Sequence, residues 1–116
     1  MNWLSSLLRR TRARLDRWLH RPYRTLIVQE SLPRKLRRKI VYVVEEDGFV
    51  EQAAVLCPCG CRRVLHMNLL ADERPCWRLT RHDDGTTTLH PSVWRTTGCG
   101  SHFWFRRGRV EWCRPQ

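Results

Sequence analysis

The chain has 116 residues, 41% of them hydrophobic and 28% charged, with 22 Lys and Arg against 11 Asp and Glu for a formal charge of +11. That length suits one domain rather than two, and the apolar, Trp-bearing composition excludes a disordered chain. No run approaches the roughly 20 apolar residues of a membrane-spanning helix, so a bilayer-spanning class is excluded as well.

The charge is concentrated at one end. Residues 1–40 hold 12 of the Lys and Arg and 2 of the Asp and Glu, leaving ten against nine for residues 41–116. This division predicts a basic segment over 1–22 in front of a nearly neutral domain over 23–116. From Trp3 to His20, the residues Trp3, Leu4, Leu7, Leu8, Leu15, Trp18 and Leu19 recur at helical spacing, with Arg9, Arg10, Arg12 and Arg17 off the stripe. The pattern predicts an amphipathic α-helix, ended by Arg21-Pro22 because the residue before proline avoids the α region. Its apolar stripe is expected to pack on the domain or on another protein. Lying on an anionic membrane surface or on nucleic acid is the alternative.

Beyond the proline the signals are those of short strands. Tyr23–Val28 reads as a strand, Ser31 to Leu36 as a loop or helical turn, and Ile40–Val44 as a buried β-branched strand. Asp47-Gly48 is a hairpin turn that returns through Phe49–Leu56. Further strands are expected at Arg63–Leu70, Trp77–Thr80, Thr86–Leu89, Phe103–Phe105 and Arg109–Trp112, with turns at Asp83-Asp84-Gly85 and Arg107-Gly108. The predicted class is mainly β: a small antiparallel, zinc-ribbon-like domain behind the N-terminal helix.

Six cysteines supply the most specific chemistry. Met1–Leu8 is too short for a secretory signal and its charges follow rather than precede it, so a cytoplasmic location is expected, where clustered cysteines serve as metal ligands. Cys57-Pro58-Cys59-Gly60-Cys61 and Cys99-Gly100-Ser101-His102 are two ligand-bearing turns about 40 residues apart, a spacing that suits tetrahedral Zn2+. Five candidates compete for four places. A Cys3His site uses Cys99, His102, Cys57 and one of Cys59 or Cys61, and the residues do not choose between those two. His66 is a spare candidate, better read as an exposed strand histidine. Cys76 and Cys113 stand alone and are expected to be buried as small hydrophobes.

Taken together, Cys57-Pro58-Cys59-Gly60-Cys61, Trp77-Arg78-Leu79, Pro91-Ser92-Val93, Cys99-Gly100-Ser101-His102-Phe103 and Val110-Glu111-Trp112 resemble the pattern of a bacterial family called domain of unknown function 6527. The resemblance runs over about residues 26–113 and omits the basic helix. Arg62 stands where the family usually has Gly, and Pro91-Ser92-Val93-Trp94 replaces a longer Pro-Ser-Ile-Gly-Asn-Trp segment. The resemblance implies a small metal-binding protein, and an accessory or adaptor role beside components of a bacterial ubiquitin-like conjugation system.

Three function classes follow from these residues. An adaptor is favoured by six Trp in so short a chain, more than a small core hides. A nucleic-acid binder would use Arg9, Arg10, Arg12, Arg17, Arg34, Lys35, Arg37 and Arg38 against phosphates. A zinc hydrolase would need an open metal position, with Ser92, Ser101 or Glu111 assisting, but a thiolate-rich site usually marks a closed structural centre. Binding rather than catalysis is therefore the expectation.

Overall fold

The computed structural model describes residues 3–10 and 21–114. Residues 3–10 are helical, as the periodicity predicts; the rest of the predicted helix, with Arg12 and Arg17, lies outside the described residues. Trp3, Leu4, Leu7 and Leu8 stand 47–71% exposed. Among the described residues no helix is long and apolar enough to cross a membrane.

Eight strands follow: β1 (Arg24–Gln29), β2 (Ile40–Glu46), β3 (Phe49–Leu56), β4 (Val64–Asn68), β5 (Arg78–Arg81), β6 (Thr87–Trp94), β7 (His102–Arg106) and β8 (Arg109–Trp112). They form two four-stranded sheets in the orders β1-β2-β3-β4 and β5-β6-β7-β8. The mainly β class is as expected. The all-antiparallel arrangement is not, because β1 runs parallel to β2, with Arg24 opposite Ile40 and Gln29 opposite Glu45. A parallel pair needs a crossover rather than a tight turn, and the loop over 30–39 supplies it.

One core joins the two sheets. Val41, Ala53, Val55, Leu65 and Met67 from the first sheet meet Leu89, Val93, Phe103 and Phe105 from the second, all under 9% exposed. The strand patterns produce this directly. In β7 the sequence His-Phe-Trp-Phe-Arg alternates, so Phe103 and Phe105 point inward while His102 and Trp104 point outward. Two tight turns reinforce the pairing. Asp47-Gly48 and Arg107-Gly108 both hold positive φ at both positions, the geometry that matches the twist of antiparallel strands. At Gly108 a side chain has no room, since a Cβ there would lie 2.9 Å from the Tyr23 carbonyl oxygen, and the Tyr23 N–H donates to the Gly108 carbonyl.

Phe103 is 1% exposed and packs its ring edge-on against Trp112, 5.7 Å between centroids. Phe103→Ala is expected to cost about 3–5 kcal/mol, measured by denaturant unfolding. A cost near zero would mean that the two sheets do not share this core.

β6 carries the irregularity that matters for function. Leu89 pairs with Phe105, but the next pairing on β6 is Val93 with Phe103, so β6 advances four residues while β7 advances two. The bulge falls on His90, Pro91 and Ser92, and bulges of this kind re-aim side chains.

Candidate metal centre and a serine–histidine pair

The first cysteine turn starts where β3 ends. The Cys57 N–H donates to the Arg63 carbonyl and the Gly60 N–H to the Cys57 carbonyl, closing a knuckle over residues 57–63. Gly60 holds φ +90°, which L side chains rarely adopt, and the turn it makes brings the exposed Cys59 and Cys61 sulfurs toward Cys57. Cys99 arrives from the loop between β6 and β7. The sulfurs of Cys57, Cys59, Cys61 and Cys99 lie within 4.8 Å of one another, with Cys57 to Cys59 at 3.3 Å and Cys57 to Cys99 at 3.6 Å. Four sulfurs tetrahedrally bound at a Zn–S distance of 2.3 Å would stand about 3.8 Å apart. The donor set therefore fits a closed, all-thiolate site for one thiophilic ion.

Polar groups crowd these sulfurs. Ser101, 5% exposed, sets its hydroxyl 3.3 Å from Cys57 Sγ and 3.2 Å from Cys99 Sγ. The Arg95 guanidinium lies 3.6 Å from Cys61 Sγ and 3.8 Å from Cys99 Sγ. Ser101, through its hydroxyl and its backbone N–H, draws the Cys99 thiol down to about 6, and the neighbouring Cys57 thiol draws Cys59 down. Burial pushes Cys57 the other way, to about 12. A bound cation would reverse that penalty, because a coordinating thiol gives up its proton to the metal.

His102 does not join the cysteines. As the first residue of β7 it pairs with Trp94 of β6 and lies on the outer face of the second sheet, outside the group of four sulfurs. Cys59 and Cys61, between which the spacing did not choose, both lie in the cluster. His66 is exposed on β4, 3.1 Å from Gln52. Cys76 and Cys113 are only half-buried, short of the burial expected, because each lies just outside a strand at the margin of the core.

The His102 ring has a different partner. Ser92 Oγ lies 3.0 Å from His102 Nε2. The β6 bulge turns Ser92 onto the outer face, and the Trp77 indole N–H, 3.3 Å from the Ser92 carbonyl, ties the bulged backbone down. Trp94 stacks on the imidazole, 5.0 Å between centroids at 21°, and the Cys113 N–H donates to the His102 carbonyl. Among the described residues the ring is braced by an indole and by backbone rather than by a carboxylate. A half-buried hydroxyl within hydrogen-bond distance of an imidazole nitrogen is a geometry that a nucleophile and its base can use.

Of the basic residues read as polyanion contacts, Arg9 and Arg10 are exposed on the helical segment, and Arg34, Lys35, Arg37 and Arg38 are exposed on the loop between β1 and β2. They are remote in sequence from the serine–histidine pair, although Arg38 reaches the rim of the cysteine knuckle beside Gly60.

Fold and site define a small two-sheet β protein with a four-cysteine cluster at one end and a serine–histidine pair on the outer face of its second sheet. The chain belongs to the family described as bacterial ubiquitination-like system serine protease (BubE), whose family model matches residues 28–113. That family, not domain of unknown function 6527, is the one shown. No curated protein and no solved structure matches the chain.

Proposed function

We propose that this chain is a serine hydrolase of a bacterial ubiquitination-like system, with Ser92 as nucleophile, His102 as its base and a structural zinc site at Cys57, Cys59, Cys61 and Cys99. The observation that carries the reading is the 3.0 Å contact between Ser92 Oγ and His102 Nε2. The family's description, which names a serine protease, supports it. We prefer it to an adaptor without chemistry, because nothing in binding alone calls for an aimed serine on a bulge.

In the reaction, Ser92 Oγ attacks a carbonyl carbon while its proton passes to His102 Nε2, forming a carbon–oxygen bond to the enzyme. The imidazolium returns that proton to the departing amine or alcohol as its bond to the carbonyl breaks. Water then repeats the sequence on the acyl-enzyme and frees Ser92. Trp94 holds the ring plane through both transfers. A metal held by Cys57, Cys59, Cys61 and Cys99 would fill all its positions with thiolates, so it would supply no part of this chemistry and would fix the loop that carries Cys99, Ser101 and the start of β7. The six cysteines form no disulfide, which is compatible with a reducing, cytoplasmic setting.

The partner class is the conjugates or precursors of that system's ubiquitin-like protein. Purified chain is expected to release the free ubiquitin-like protein from its ester- or amide-linked conjugates, and Ser92→Ala is expected to release none. Equal release by both would end the serine hydrolase reading.

A further inference from the structure

Two indoles of the second sheet, Trp104 and Trp112, remain outside the mechanism, and they share a cavity with Trp94. Trp94, Trp104 and Trp112 line one open cavity of about 960 Å3 with His102, Arg114 and, at its inner end, Ser101 and the cluster cysteines Cys59 and Cys99. Trp94 and Trp112 are 63% and 53% exposed, an unfavourable placement for large apolar rings unless a ligand covers them. The volume is of the order that holds a ligand or a short stretch of polypeptide.

Resting on the hydrolase reading above, we infer that this cavity is the substrate subsite next to the cleaved bond, and that it selects a bulky, uncharged apolar side chain. His102 connects the two. It is the base for Ser92 and also a wall of the cavity, so a chain whose carbonyl reaches Ser92 Oγ lays the adjacent side chain between the indoles.

The way the rings around the cavity are already engaged argues for an uncharged occupant. The Arg106 guanidinium already covers one face of Trp104, 4.5 Å from the ring centroid, and is held there by Glu111 at 2.6 Å. One face of Trp94 is likewise taken by His102. Trp104 thus carries a cation on one face already, and the His90 ring lies 6.0 Å from its centroid, so the ring has no open face that invites a second cation. Trp112 is also fixed, edge-on to the buried Phe103, so the far wall is rigid. A slot walled by three indoles, with the ring faces already engaged, leaves a Lys or Arg head without a partner there and accommodates a hydrocarbon or aromatic side chain.

Fluorophosphonate probes test this without a known substrate. Ser92 Oγ forms a bond to phosphorus, fluoride leaves, and His102 takes the serine proton. Three probes are compared on the full zinc-loaded chain, bearing a methyl, a phenylpropyl or an aminopropyl group, and the rate of Ser92 labelling is read by mass spectrometry. The phenylpropyl probe is expected to label about tenfold faster than the methyl probe, and the aminopropyl probe no faster than methyl. In Trp104→Ala and Trp112→Ala the phenylpropyl-to-methyl ratio is expected to fall at least about fivefold, and in Trp104→Phe and Trp112→Phe to be largely kept. Labelling with no phenylpropyl preference, with a preference for aminopropyl, or with a ratio untouched by the Ala variants overturns the subsite and leaves the hydrolase reading standing. Folded protein that none of the probes labels overturns both.

Discussion

Ser92→Ala is expected to lower hydrolysis by about a thousandfold or more while leaving the fold intact. The size follows from what is removed. Without Oγ no acyl-enzyme forms, and only orientation of substrate and water remains. The fold is spared because the half-buried Ser92 side chain contributes nothing to the core, and the tie from the Trp77 indole runs to the Ser92 carbonyl, which alanine keeps. His102→Ala is expected to cost a similar factor, since Oγ then has no acceptor for its proton. Combining the two should cost little more than either alone, because they act as one unit. Steady-state rates with thermal unfolding of each variant check this. A Ser92→Ala protein that unfolds earlier, or one that retains activity, would show that the pair is structural.

Removing the metal is expected to have the largest effect on stability. Binding at a structural zinc site contributes about 10–16 kcal/mol in small metal-dependent units, against a total stability of about 5–15 kcal/mol for an ordinary domain. Cys57 shows why the two are linked here. It is 4% exposed, belongs to the same core as Val55 and Phe103, and touches two sulfurs and the Ser101 hydroxyl. Without a cation its environment holds a neutral thiol against charged neighbours; with one, the four sulfurs share a compensated site. Protein prepared without added metal is expected to carry one zinc per chain by elemental analysis. A strong chelator, or Cys57→Ala, is expected to abolish the cooperative unfolding transition. A transition unchanged by complete removal of metal would refute the structural role.

Much of this architecture could be read from residue order, and the parts that could not have physical reasons. The Asp47-Gly48 and Arg107-Gly108 turns announce their hairpins because only a few residue types tolerate positive φ at two successive positions. β3 and β8 were legible to the residue for that reason. The parallel pairing of β1 with β2 was not, since a crossover over 30–39 carries no turn signal of its own. The cysteine cluster was legible as a cluster, but spacing alone favoured Cys99-x-x-His102 as a ligand pair. The competing cause is tertiary: pairing of His102 with Trp94 sends the ring to the outer face, where Ser92 meets it. Pro91-Ser92 was visible as a motif, yet its meaning depends on a bulge that displaces the register by two residues, and periodicity has no means of locating that.

The central claim is that Ser92, activated by His102, is the nucleophile. It is tested most directly by treating the zinc-loaded chain with an alkyl fluorophosphonate and mapping the adduct by peptide mass spectrometry, alongside Ser92→Ala and His102→Ala. The expected result is a single adduct on the peptide containing Ser92, lost in the first variant and formed far more slowly in the second. An adduct on another residue, or labelling of Ser92 at the same rate without His102, would contradict it.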